Sequence, residues 1–174
     1  MGKCFIVGES AGGNLAHHVL VRASGHEFES LKIKGAVMVS PFFGGEERTD
    51  SEILYADSPT LKLKEIDRLW QAFLPVGSNR DHRAAKLFGP KSTGLSGVEY
   101  PPTLLVVAGL DPLQDQERRY GDELVRCGKV VEVVEYPNMV HNFHIVMEFE
   151  ETQMLFFFEI RDFVHKPLSL VENR

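Results

Sequence analysis

The sequence predicts an α/β domain built on a mostly parallel sheet. Three observations lead there: short apolar runs without polar alternation, amphipathic helical segments between them, and a β-α-β order at both ends of the chain. Residues 3–7 form the first apolar run, closed by Gly8. Residues 11–21 then repeat Leu15, His18 and Val19 at helical spacing, and Gly25 ends that helix. Residues 33–40 read as a second buried strand, stopped at Ser40-Pro41, where proline has no N–H to give a sheet ladder.

Residues 42–100 have a different texture and read as an excursion off the sheet. Gly44-Gly45, the charged run Glu46, Glu47 and Arg48, Ser58-Pro59 and Gly89-Pro90 are loop signals, the charged run reading as solvated. One helix stands out within it, with Leu63, Ile66, Leu69, Trp70 and Phe73 as its stripe and Pro75 as its stop. Regular order then resumes with a strand at 103–108 and a helix at 113–127 whose Leu113, Tyr120, Leu124 and Cys127 share a face. A strand at 130–135, a loop at 136–143 and a Phe-rich helix at 150–164 follow, with a tail after Lys166 expected to fray. The whole, 1–174, is expected to be one domain with right-handed crossovers.

Composition supports this. The chain has 174 residues, 43% of them hydrophobic and 25% charged, with a formal net charge of −6. A domain of this size buries about 70% of its unfolded surface. The acidic balance excludes a phosphate-backbone binder, so no nucleic-acid partner is expected. No apolar run reaches the ~18 residues of a membrane span, and no membrane association is expected. The apolar run after Lys3 is too short for a secretory leader, and the myristoylation pattern that Met1-Gly2 begins requires Ser or Thr where Ile6 stands. Cys4 and Cys127 are isolated thiols, which points to a reducing compartment: the cytoplasm, with nuclear entry open. No cofactor is expected, and no metal, since the spacing of His, Cys, Asp and Glu matches no ligand motif.

The chemistry lies in Gly8-Glu9-Ser10-Ala11-Gly12, a G-x-S-x-G between a buried strand and a helix. That is the setting of a nucleophile elbow rather than of a plain strand-to-helix turn. Its glycines permit a strained turn, which lifts the Ser10 hydroxyl to a helix N-terminus. There the Ala11 amide can hold an oxyanion. A serine needs a base and a group to orient that base. Asp111 follows the third strand and His141 the fourth, in the order Ser, Asp, His and at the same sheet edge as Ser10. Asp111 is preferred over Asp115, which sits inside the helix, although Asp111 could also simply cap that helix. His141 is preferred over His144. His17 and His18 are expected to pack or face solvent rather than catalyse, and His82 to lie in loop. Phe42, Leu110, Met139 and Phe143 are candidate walls of a pocket for a small uncharged ester.

Three blocks carry a family resemblance. The stretch from Gly8 through His17, the stretch Val107-Ala108-Gly109-Leu110-Asp111-Pro112-Leu113-Gln114-Asp115, and Glu135-Tyr136-Pro137-Asn138 followed by His141-Asn142-Phe143 resemble the elbow, acid loop and histidine loop of plant carboxylesterases. These belong to the hormone-sensitive-lipase branch of the α/β hydrolases. The resemblance implies Ser10 as nucleophile, His141 as general base and acid, and Asp111 as orienting carboxylate, with 42–100 as a lid-like insertion and pocket wall. The same plant group includes gibberellin receptors, which lack the catalytic histidine, and 2-hydroxyisoflavanone dehydratases, some with Thr for Ser. Ligand binding without catalysis is therefore the alternative reading. The family's His-Gly-Gly oxyanion loop has no counterpart in the sequence: the Gly-Gly pairs are Gly12-Gly13 and Gly44-Gly45. The resemblance thus implies a partial α/β-hydrolase fold lacking the N-terminal strands, impaired activity, and a free strand edge prone to self-association.

Overall fold

A computed structural model describes residues 2–88 and 94–166. The loop signal Gly89-Pro90 and the tail beyond Lys166 lie outside the described residues. Four strands form one sheet in the order β1-β2-β3-β4: β1 (Gly2–Glu9), β2 (Leu31–Val39), β3 (Thr103–Ala108) and β4 (Val131–Tyr136). All three pairings are parallel, with Val7 opposite Val37, Met38 opposite Leu105 and Ala108 opposite Tyr136. The helices are α1 (Ala11–Ala23), α2 (Asp50–Leu54), α3 (Leu63–Phe73), α4 (Gln114–Arg126) and α5 (Glu150–His165).

The central strands alternate between two cores because successive side chains point to opposite faces. Ala36, Met38, Leu105 and Val107 meet Ala16 and Leu20 of α1 and Tyr120 and Leu124 of α4. Val37, Val39, Leu104 and Val106 meet Phe156 and Phe163 of α5. Covered on both faces, β3 is buried along its whole length, which is why it carries no polar alternation. A third cluster, with Ile66 and Trp70 of α3 against Phe42 and Leu113, fastens the excursion to the top of the sheet.

Two expectations need correction. Leu15 and Val19 of α1 are more than half exposed, and the buried face is Asn14, Ala16, His17 and Leu20. The helix turns inward a face with two polar residues because each finds partners. Asn14 donates to the carbonyls of Phe42 and Ala84 (3.0 and 2.8 Å), and His17 meets the Tyr100 and Tyr120 hydroxyls (3.2 Å each). In α3, likewise, Leu69 and Phe73 are exposed while Ile66 and Trp70 are buried.

The charged run is not simply solvated. Arg48 grips Asp67 with two bonds of 2.6 and 2.7 Å, and Arg80, itself buried, donates to Glu52 at 3.0 Å. Glu52 is buried and closes a capping box with Thr49 at the start of α2, a short helix that the apolar pattern does not reveal. No helix among the described residues is long and apolar enough to cross a membrane.

Two consequences are measurable by chemical denaturation. Glu52→Ala removes the cap and leaves Arg80 without its buried partner, so it should cost about 3 kcal/mol. Glu132→Ala, which deletes an exposed partner of Lys166, should cost less than about 1 kcal/mol. The second consequence concerns pH. Burial first, and His18 second, hold His17 down to about 3 from an ordinary 6.5. The unfolded chain therefore binds the extra proton. Stability is complete above pH 6.5 and falls as pH drops below it, by about 1.4 kcal/mol at pH 5.5. In His17→Phe that component of the acid-side slope should vanish.

Candidate active site

All the site residues stand at the carboxyl ends of the four strands. Ser10 closes the β1–α1 turn with φ 50° and ψ −118°, a conformation that L-residues rarely hold. Neighbouring hydrogen bonds impose it. The Ser10 amide donates to the Val39 carbonyl of β2 (2.9 Å), and the Ser10 carbonyl accepts from the amides of Gly13 (3.0 Å) and Phe42 (2.9 Å). The turn is so tight that a Cβ on Gly8 would lie 2.3 Å from the Gly12 carbonyl oxygen. Gly12 itself faces open space. The first amides of α1, Ala11 among them, have no acceptor within the helix.

Asp111 follows β3 and is wholly buried. One of its oxygens, Oδ1, accepts from the Leu113 amide at 2.9 Å, so Asp111 does cap the turn into α4. The other, Oδ2, lies 2.5 Å from His141 Nδ1, and His141 Nε2 lies 3.0 Å from Ser10 Oγ. With Nδ1–H donating to Asp111, Nε2 is free to accept from the serine hydroxyl. One carboxylate thus serves both the Leu113 amide and the His141 ring. The acid and histidine loops are joined by main-chain bonds, Gly109 amide to Tyr136 carbonyl and Leu110 amide to Met139 carbonyl, each 2.9 Å. This contact needs a glycine, since a Cβ on Gly109 would meet the Pro137 carbonyl oxygen at 2.4 Å.

The rivals are occupied elsewhere. Asp115 accepts from the Ser51 amide (2.9 Å), and His144 pairs with Glu9 (3.0 Å) while stacking on Phe156. His17 sits inside the sheet's first core among Phe43, Tyr100 and Tyr120.

The pocket candidates divide. Leu110 and Met139 are half-buried beside the site. Phe42 is buried and stacked on Trp70 at 4.6 Å, and Phe143 is fully buried against Tyr136 and Phe156. Both rings are core, because aromatic partners enclose them, rather than pocket wall. The Gly44-Gly45 pair is likewise committed, with the Gly44 amide donating to Ala85 and Gly44 lying against Trp70. A groove of about 1230 Å³, lined by Leu31, Tyr100, Pro102 and Val130, lies at the opposite ends of the strands and has no part in this site.

Folding also brings in a residue that sequence reasoning missed. Glu117, on α4, is wholly buried, and the ligating atoms of Asp111, Glu117 and His141 lie within 4.8 Å of one another. Sequence spacing had suggested no such cluster. Burial first, and the Asp111 carboxylate second, push the Glu117 carboxyl well above the ordinary carboxylate range.

A family model described as the alpha/beta hydrolase fold matches residues 1–145. A gibberellin receptor of Arabidopsis thaliana is 38% identical over 171 residues, which is 92% of this chain and 44% of the receptor. Probable carboxylesterase 6 of the same plant is 36% identical over 149 residues, 83% of this chain and 42% of the relative. Among solved structures, an ester hydrolase from the metagenome of Lake Arreo superposes with a TM-score of 0.68 at 27% identity, over 82% of this chain and 44% of its own. The esterase of the archaeon Pyrobaculum calidifontis gives a TM-score of 0.70 at 25% identity, over 85% and 48%. The chain thus spans less than half the length of the curated relatives it matches.

The two elbow glycines should respond differently to a methyl group. Gly8→Ala forces the backbone apart and should cost at least about 3 kcal/mol. Gly12→Ala meets nothing, gains helix propensity, and should leave the thermal midpoint unchanged or raised. Thermal unfolding of the two variants side by side checks this.

Proposed function

The chain belongs to the α/β-hydrolase-fold family, and from that footing we propose that it is a serine carboxylesterase acting on small uncharged esters. The observation that carries this reading is the unbroken line from Ser10 Oγ through His141 to Asp111, at 3.0 and 2.5 Å. In the proposed reaction His141 Nε2 takes the Ser10 proton as Oγ attacks the ester carbonyl. Asp111 holds the imidazole ring and balances the imidazolium charge. The Ala11 amide, at the N-terminus of α1, donates to the developing oxyanion. His141 then returns the proton to the departing alcohol, leaving an acyl group on Ser10. Water attacks that acyl group with His141 again as base, and the acid leaves with Ser10 restored.

The acidic surface suits uncharged rather than anionic substrates. The unpaired cysteines, Cys4 and Cys127, suit a reducing compartment such as the cytoplasm. A second reading is favoured by the receptor relatives: a protein that binds a small ligand in a hydrolase frame without turning it over. The imidazole seated between Ser10 and Asp111 speaks for the first reading.

p-Nitrophenyl acetate hydrolysis should be lost at least about 100-fold in Ser10→Ala, and an organophosphonate probe should label Ser10 in the parent chain. Equal rates would remove Ser10 as nucleophile. A folded chain that resists the probe would favour the binding protein.

A further inference from the structure

Glu117 is a wholly buried carboxyl that the proposed reaction leaves unused, and unlike buried Glu52, which Arg80 holds, neither of its oxygens has a hydrogen-bond partner. It projects from the first half of α4 towards the back of Asp111. Its polar neighbours are Asp111, the Ser40 hydroxyl at the end of β2 and the Ala108 backbone at the end of β3. None of these makes a well-formed hydrogen bond to either Glu117 oxygen, and the Ser40 hydroxyl is equally unpartnered. A His141 ring nitrogen completes the cluster within the same 4.8 Å, and Arg118 is a charged neighbour on Glu117's own helix.

Two carboxylates this close, in a site closed to water, cannot both be ionised. The charge settles on the one that is better solvated by the protein. Asp111 accepts from the Leu113 amide at 2.9 Å and from His141 at 2.5 Å, whereas Glu117 has nothing comparable. A proton placed between the two carboxyls satisfies both. It gives Glu117 an acceptor for its hydrogen and gives Asp111 a third donor.

We propose that Glu117 is a positioning residue of this site: a neutral carboxylic acid that donates its hydrogen to Asp111 and fixes that carboxylate against His141. The proposal rests on the Ser10–His141–Asp111 reading above and extends it by one residue. A cation shared by the same three residues would have to displace the hydrogen already held between His141 and Asp111. A proton between Glu117 and Asp111 displaces nothing. Glu117 touches no substrate, and its effect passes through Asp111 to the imidazole ring.

Glu117→Gln keeps the shape and a donor, while Glu117→Leu keeps only the bulk. In p-nitrophenyl acetate turnover, the Gln variant should stay within about 3-fold of the parent kcat. The Leu variant should lose about 10- to 100-fold in kcat with KM unchanged, the pattern of a supporting group that orients a reacting one. Folding supplies a second readout, independent of activity. If Glu117 is neutral in the fold, the parent chain takes up a proton on folding at neutral pH. The folding equilibrium constant of Gln relative to parent should then rise about tenfold per pH unit above about pH 5.

A folded Leu variant with parent kcat, a Gln variant as impaired as Leu, or a pH-independent folding ratio would each overturn the proposal. If the parent shows no Ser10-dependent turnover, the esterase reading fails on its own account. The folding ratio, together with the His141 Nδ1 proton resonance, expected to persist in Gln and to be lost in Leu, then still decides the role of Glu117. If the Leu variant does not fold, the Gln variant carries the pH test alone.

Discussion

The architecture of this protein hangs on the close approach of backbone at the β1–α1 turn. With no side chain on Gly8, the chain reverses so sharply that the Gly12 carbonyl lies where a Cβ would be. Ser10 is forced to positive φ, and its main-chain groups become a junction. Its amide is fixed by Val39 of β2, and its carbonyl gathers the amides of Gly13, Asn14 and Phe42. One peptide thus ties the first strand, the first helix and the start of the excursion together. Because the turn sets the pitch of α1, it also decides which face of α1 meets the sheet. A helix entering at this angle buries Asn14 and His17 and leaves Leu15 and Val19 outside.

A second junction forms where the acid and histidine loops meet. Gly109 lets the loop after β3 touch Pro137 of the loop after β4, and two main-chain bonds make the contact specific. The geometry between Asp111 and His141 therefore comes from backbone, the part of the chain least able to relax. Only then do side chains matter. Gln114 donates to the Gly109 carbonyl at 2.8 Å, and Phe143 anchors the histidine loop in the core beneath α5. The rings of Phe42 and Phe143 hold the loops of the site through their aromatic partners, Trp70 for the one and Tyr136 and Phe156 for the other.

The legible parts of the sequence were those governed by local or periodic rules. β3 could be read because both of its faces are buried, and Ser10, Asp111 and His141 could be read because parallel strands deliver their following loops to one edge. Other features depend on contacts that spacing does not encode. The burial of Asn14 and His17 follows from partners at Phe42, Ala84, Tyr100 and Tyr120, far away in the chain. The short helix α2 carries too few apolar residues to show a period, though Thr49 and Glu52 stand three apart as a capping box and were its available signal. Glu117 lay in plain view as a charged residue on an amphipathic helix. Nothing local marks it as buried; the fold places it behind Asp111 because α4 starts immediately after the acid loop.

Backbone strain is concentrated at the same edge. Among the described residues, the non-glycine positions with positive φ are Ser10, Ser40 and Asn142, at the ends of β1 and β2 and directly after His141. Each such residue costs on the order of 1 to 3 kcal/mol, and each persists only where its surroundings over-determine it. At Ser10 and Ser40 the restraint is an inter-strand bond, to Val39 and Val106 respectively. Ser40 leads into Pro41, whose Cβ lies 2.8 Å from where a Cβ on Gly13 would stand, so the second strained turn packs closely on the first. Add the buried Asp111, Glu117 and His141, and this edge gathers strain, desolvated charge and the unpartnered Ser40 hydroxyl, which a stability-optimised fold would discard. The opposite edge of the sheet contains no comparable cluster among the described residues. The central strands carry the excess stability that such an edge requires: β3 is buried along its whole length and β2 through its last five residues, next to the strained edge.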